Sequence, residues 1–177
     1  MTISLAIDTS TSRTIVAAIE DGKVLFESFN EGATDHGKAL PELIAAALKV
    51  APKPERVVVG MGPGPFTGLR VGITFARTFA YSRGIDLKGV CSLDAIAIDQ
   101  GEYTVAVDAR RKEIYWASYK DGVRVVGPSV NKPAEVAGYI FDVYPDMQKL
   151  VELSYSQNET EPMYLRRPDA VPTAERA

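Results

Sequence analysis

Two groups of residues in this chain could do chemistry: a glycine-rich loop that could hold an anion, and a few polar side chains that could serve as acid, base, nucleophile or metal ligand. The loop is Gly60-Met61-Gly62-Pro63-Gly64-Pro65-Phe66-Thr67-Gly68-Leu69-Arg70-Val71-Gly72. It follows the apolar run Val57-Val58-Val59, which reads as a buried strand, and it leads into a helix predicted over Leu69 to Arg83. Gly permits φ > 0 and Pro locks φ, so the loop is conformationally committed. Strand, rigid loop and helix N-terminus are the parts of an anion site, and equally of a structural corner. A P-loop requires Lys after the last glycine of its fingerprint, and none follows Gly68. A dinucleotide fingerprint requires Gly where Thr67 stands. Pro63 and Pro65 remove two N–H groups that a phosphate would use. The loop is therefore expected to be a rigid turn, with Thr67 capping the next helix.

The polar side chains are sparse. The sequence holds one His, His36, and one Cys, Cys91, far apart in the chain. A Ser-His-Asp arrangement would have to use His36, and no Gly-x-Ser-x-Gly elbow exists. No metal site and no catalytic residue are expected. His36 is expected at the surface or in an interface, and Cys91 as a small buried residue at a strand end. With a single cysteine no internal disulfide can form, which fits a reducing, cytoplasmic location. A net charge of −3 argues against a protein that grips nucleic acid unaided. The N-terminus has no basic region of a signal peptide, and no apolar run approaches membrane-spanning length.

The elements that must position these residues are repeated. Ile3 to Asp8 reads as a strand ending in Asp, followed by a polar turn, a strand Thr14 to Glu20, the turn Asp21-Gly22, and a strand Val24 to Phe29. The same order starts again at Tyr103. A strand ends at Asp108, a polar turn follows, then a strand Glu113 to Lys120, the turn Asp121-Gly122, and a strand Val123 to Val126. Asp-Gly between apolar runs is a strong hairpin signal, and two such meanders in matching register indicate duplication. Helices are predicted over His36 to Val50, capped by Asp35, and over Ala134 to Val143. Between the halves, Leu87 to Val90 reads as a strand and Ser92 to Ile98 as a helix capped by Ser92. The residues after Pro145 show no clear periodicity, and the chain end reads as loose.

A duplicated β-β-β-α plan resembles that of the actin-like ATPases. The segments Ile7-Asp8-Thr9-Ser10, His36-x-x-x-Leu40-Pro41, the Gly62 to Gly72 loop, and the tail Tyr164-Leu165-Arg166-Arg167-Pro168-Asp169-Ala170 are similar to the TsaB (YeaZ) family. Over nearly the whole chain, the resemblance implies an α/β, actin-like (ASKHA) fold with two duplicated β-β-β-α lobes, the second shortened. Residues 1–102 form the first lobe, completed by the tail; 103–145 form the second lobe, and 146–177 the tail. Pro65 stands where the family usually has Ser, and the stretch between Tyr144 and Met163 is shorter than in many relatives.

The resemblance also implies a function: a non-catalytic scaffold or activator in tRNA threonylcarbamoyladenosine biosynthesis. Its partners would be a TsaD-like, metal-binding catalytic subunit and a TsaE-like ATPase. The isolated chain would self-associate, and tRNA would be reached only through the complex. The catalytic relative places a His-x-x-x-His metal pair on the helix where this chain has only His36. Actin-like ATPases cradle phosphates in two Gly-containing turns. Here Asp8, Thr9 and Ser10 form the first turn and Asp108 and Arg110 belong to the second, both without Gly. A degenerate nucleotide cleft is expected, with no cofactor required and weak nucleotide binding at a shared interface left open. The rivals are a kinase or ATPase of this fold, or a peptidase.

The expected partner surface lies on two helices. Leu40, Leu43 and Ala47 belong to a helix apolar around most of its circumference. In the next helix Gly72, Ala76 and Ala80 recur at every fourth position, a row that permits close helix approach. Facing a second chain, this row would be flanked by Arg70, Thr74 and Arg77. An Ala76→Glu monomer would then stay folded.

Overall fold

A computed structural model describes residues 1–166. The tail residues Arg167, Pro168, Asp169 and Ala170 and the loose-end expectation lie outside them. Asp-Gly turns organise both halves. In the first, β1 (Ile3–Asp8), β2 (Arg13–Glu20) and β3 (Lys23–Glu31) form an antiparallel meander, followed by α1 (His36–Val50), β4 (Arg56–Gly60), α2 (Phe66–Arg83) and β5 (Asp86–Val90). The sheet order is β3-β2-β1-β4-β5, with β4 and β5 parallel to β1. In the second half, β6 (Glu102–Asp108), β7 (Ile114–Lys120) and β8 (Val123–Asn131) repeat the meander, and β9 (Tyr139–Ile140) pairs parallel to β6. The order β8-β7-β6-β9 matches β3-β2-β1-β4. Both hairpin turns use positive φ at both central residues: 45° and 83° at Asp21-Gly22, 50° and 77° at Asp121-Gly122. Such turns match the right-handed strand twist.

Alternation along β1 and β4 sends side chains to two cores. Leu5, Ile7, Val57 and Val59 pack with α1 and α2, while Ala6 and Val58 pack with Met147, Leu150 and Val151. Those last three lie on α3 (Met147–Leu153), whose N-cap Asp146 accepts a hydrogen bond from Lys149 N–H at 2.8 Å. This short helix was not legible in the sequence, and it returns the chain to the first sheet. The inner face of the second sheet, including Val105, Val107, Tyr115 and Ala117, packs against Cys91, Leu93 and Ile96. Among the described residues no helix is long and apolar enough to cross a membrane.

Two predicted helices do not form. Residues 134–143 hold a 3-10 turn, Pro133–Glu135, and then β9. Val136 and Tyr139 pack on one face of the second sheet and Ile140 on the other, so the apolar residues serve two faces and a single-faced helix cannot satisfy them. Gly138, at φ 65°, provides the break. Residues 92–95 form a turn and 96–98 are irregular, because this linker feeds both cores: Leu93 and Ile96 go to the second core and Ala95 to the first.

Candidate functional site

The first hairpin turn is built around Asp8. Its carboxylate is fully buried and accepts from Ser10 N–H (2.8 Å), Ser10 Oγ–H (2.7 Å) and Ser92 Oγ–H (2.6 Å). Burial pushes its pKa above the ordinary carboxylate value, against these hydrogen bonds. The glycine-rich loop presses against one side of this turn, at Thr9 and Ser10. A Cβ on Gly64 would meet Ser10 O at 2.5 Å, one on Gly68 would meet Thr9 O at 2.8 Å, and one on Gly72 would meet Thr9 Oγ1 at 2.4 Å. Thr9 Oγ1 also donates to Gly68 O at 2.7 Å. The glycines exist so that the loop and α2 can press against the Thr9-Ser10 turn. The loop is a structural seat, as expected, but Pro65 occupies the N-cap position and Thr67 lies exposed in the first turn of α2. Asp35 holds the N-cap position of α1 without a side-chain capping bond.

The second turn repeats the first at its base and differs above it. Arg110 N–H donates to Asp108 Oδ1 at 2.8 Å, as Ser10 does to Asp8. Arg110, Arg111 and Lys112 then all adopt the left-handed region, at φ 64°, 54° and 62°. Each such non-glycine residue costs roughly 1–2 kcal/mol. Arg110 Nη1 lies 3.4 Å from Asp108 Oδ2. Arg166 pairs with Glu113 beside the turn.

Between the two turns lies a cleft of about 290 Å³, whose lining includes Thr11, Ser12, Asp108, Arg110, Phe141 and Tyr144. Of the residues expected to form a nucleotide cleft, Asp108 and Arg110 line it. Asp8, Thr9 and Ser10 do not, because they are buried within the first lobe. Phe141 and Tyr144 were missed: their position depends on the chain turning at β9 instead of continuing as a helix.

His36 is a correction. It is buried, not at the surface; its Nδ1 lies 2.8 Å from Thr14 Oγ1, and its Nε2 is where a Cβ on Gly68 would collide. Burial holds its pKa below the ordinary 6.5, with Arg110 adding to the effect and Asp8 opposing it. The unfolded chain therefore takes up this proton first, so stability is present above pH 6.5 and falls as pH drops through the folded-state pKa. Denaturant melts at pH 7.5 and 5.5 are expected to show this loss in the parent and a smaller one in His36→Gln. Equal losses in the two would exclude His36 as the cause. Asp8 acts in the opposite sense: its contribution is full below pH 3.8 and lost as pH rises through its raised pKa. Cys91 is buried, its thiol pushed up to about 12 by burial, and it accepts from Arg124 Nη1 at 3.1 Å. Cys91 and His36 thus engage different partners.

The small-residue row is the second correction. Gly72, Ala76 and Ala80 are buried inside the chain, where they seat α2 on the first sheet with Leu40 and Ala47 of α1. The row permits close packing, but within the monomer. Leu43 is partly buried. Arg70, Thr74 and Arg77 do lie on the exposed face of α2. Phe66 stacks obliquely on Tyr164 with 4.9 Å between centroids, and Arg70 lies 5.2 Å from the Phe66 ring. Arg77 Nη2 donates to Thr160 O at 2.8 Å, tying the segment after α3 to α2.

Comparison with known proteins matches residues 29–170 to the family model described as TsaD: tRNA N6-adenosine threonylcarbamoyltransferase. An uncharacterized protein of Mycobacterium leprae is 39% identical over 204 residues, covering 97% of this chain and 57% of that protein. The tRNA threonylcarbamoyladenosine biosynthesis protein TsaB of Bacillus subtilis is 34% identical over 133 residues, covering 70% of this chain and 58% of that protein. The chain thus spans somewhat more than half the length of these two relatives. The M. leprae alignment is longer than the chain, so that relative carries residues that this one lacks. The structure of YeaZ from Pseudomonas aeruginosa superposes with TM-score 0.77 at 21% identity, over 93% of this chain and all of that one. The fold is actin-like, and the chain belongs to the TsaB (YeaZ) family.

Proposed function

We propose that this protein is a non-catalytic subunit of tRNA threonylcarbamoyladenosine biosynthesis that scaffolds and activates a TsaD-type transferase in the cytoplasm. The observation that supports this reading is the packing of the first turn: Gly64, Gly68 and Gly72 bring protein atoms against Thr9 and Ser10, which leaves Thr11 and Ser12 of that Gly-free turn to line the cleft. Phosphoryl transfer depends on metal-held phosphates and a positioned base. Here the one imidazole is buried against Thr14, and the Asp8 carboxylate is sealed by Ser10 and Ser92. Among the described residues no three His, Cys, Asp or Glu side chains converge as a metal site.

The exposed face of α2, with Phe66, Arg70 and Thr74 beside a shallow groove containing Val71 and Phe75, is the proposed pairing surface. Aromatic and arginine side chains of this kind commonly dominate interface energetics. Self-association would use the same face, a TsaE-type ATPase would join the pair, and tRNA would be engaged by the assembly. Arg70→Glu is expected to leave the fold intact, because the side chain is exposed, and to weaken co-purification with the transferase at least tenfold. Unchanged pairing by size-exclusion chromatography would place the interface elsewhere. A second reading, nucleotide held without turnover, is favoured by the cleft between Arg110 and Tyr144. A rise in melting temperature with ATP tests it.

A further inference from the structure

We infer that Arg56 anchors a second site, one that holds a small carboxylate at the end of the first sheet away from the cleft. Arg56 opens β4, where it pairs with Ser4 of β1, and Asp8 stands at the other end of β1. Three observations converge on it.

Burial without a counter-ion is the first. Arg56 is 8% exposed, the one buried arginine among the described residues. Its Nε donates to Ser4 Oγ at 2.7 Å, and its guanidinium carbon lies 4.1 Å from the centre of the Tyr155 ring. Its Nη2 is shut off from water and has no hydrogen-bond partner among the described residues. Arg13, Arg124 and Arg166 are only half-buried, yet each has a carboxylate within reach: Glu31, Asp94 and Glu113. The most buried guanidinium thus lacks the counter-ion that the half-buried ones have. Buried charges are as a rule paired, because an unpaired one is strongly destabilising. A ligand supplies the missing anion here.

The second observation is space. Arg56 lines an open pocket of about 580 Å³, together with Thr2, Lys53, Glu55 and Asp86. A concave space with a few placed polar groups is the form of a small-molecule site. Tyr155, 67% exposed, is the part of the guanidinium's cover that can turn outward without disturbing the core.

Charge balance is the third, and it selects the ligand. Lys53 and Arg56 are opposed by Glu55 and Asp86, with Lys88 Nζ 4.0 Å from Asp86 Oδ2. A dianionic phosphate would meet two carboxylates as well as two cations, so a single negative charge fits better. A carboxylate carries that charge on two coplanar oxygens, which match the guanidinium N–H groups left once Nε is engaged by Ser4.

The test is a thermal melt of the full chain in sodium acetate, against sodium chloride of equal ionic strength. Acetate at about ten times its dissociation constant should raise the parent's melting temperature by roughly 3–5 °C, and the rise should saturate. Arg56→Met/Ser4→Ala removes the charge together with the hydroxyl it engages. That variant should melt higher than the parent in chloride, because an unpaired buried charge is gone, and should show no saturable acetate response. Lys53→Glu, on an exposed rim residue, should fold as the parent does and weaken acetate binding about threefold or more, which provides a readout if the double variant fails to fold. Equal responses in the parent and all variants, or a rise that never saturates, would be a bulk salt effect and would overturn the site. Size-exclusion chromatography with the TsaD-type partner separates a further outcome. A parent without acetate response, and a double variant that no longer pairs, would assign the counter-ion to a partner subunit and equally overturn the small-molecule site.

Discussion

Ala76→Glu is expected to abolish folding. Ala76 is 0% exposed, within a cluster that includes Leu5, Ile7, Val57 and Leu69. A glutamate there adds volume to a packed core and places a carboxylate away from water. Overpacking costs about 1–3 kcal/mol and an unpaired buried charge several more. Domain stability is only about 5–15 kcal/mol, so most or all of it would be lost. Thr74→Glu, two residues earlier on the exposed face of α2, should fold normally and impair only pairing. Circular dichroism and a denaturant melt of both variants check the contrast. A cooperative, near-parental melt for Ala76→Glu would return the row to an intermolecular role. On the proposed pairing through α2, the face that carries Arg70 and Thr74 is the one open to a partner, because the opposite face is occupied by the first sheet.

Gly60→Ala is expected to destabilise the chain by roughly 3–5 kcal/mol, combining overpacking with damage to a buried hydrogen-bond network. A Cβ at Gly60 would lie 1.8 Å from Asp8 Oδ2 and 2.4 Å from Ser92 Oγ. Neither atom can yield freely, because Ser92 Oγ donates to Asp8 Oδ2 and accepts from Gly62 N–H at 3.1 Å. The added methyl would therefore disturb three things at once: the first hairpin turn, the start of the Gly62 to Gly72 loop, and the linker between lobes. The diagnostic is coupling. Asp8→Ala removes the obstructing carboxylate, so the double variant should lose less stability than the two single losses added together. Denaturant midpoints for the four proteins measure it. Strict additivity would show that Gly60 is needed for another reason. If the prediction holds, Asp8 acts as an internal brace joining the turn to Ser92.

The sequence alone determined whatever depends on near neighbours in the chain. The Asp21-Gly22 and Asp121-Gly122 turns were readable because positive φ at adjacent positions restricts residue type locally. The duplicated meanders followed from them, as did the strands ending at Asp8 and Asp108. The family was readable from the Gly62 to Gly72 loop, although its physical purpose was not. Those glycines make room for Thr9 and Ser10, 54 to 63 residues away, and a local pattern carries no record of which surface approaches it.

Tertiary structure decided the orientation of ambiguous faces. Gly72, Ala76 and Ala80 permit close packing against any surface, and the first sheet supplied that surface before a second chain could. Val136, Tyr139 and Ile140 have helical spacing, but β6 offers Tyr139 and Ile140 a parallel ladder and the sheet has two faces to cover. A polar residue near a helix start usually has water or a partner beside it, which is the reason to expect His36 at the surface or in an interface. Here the fold brings Thr14 and Gly68 to the imidazole and removes the water. Periodicity reports that a residue has an apolar or polar neighbour to find; only the assembled chain determines which neighbour arrives.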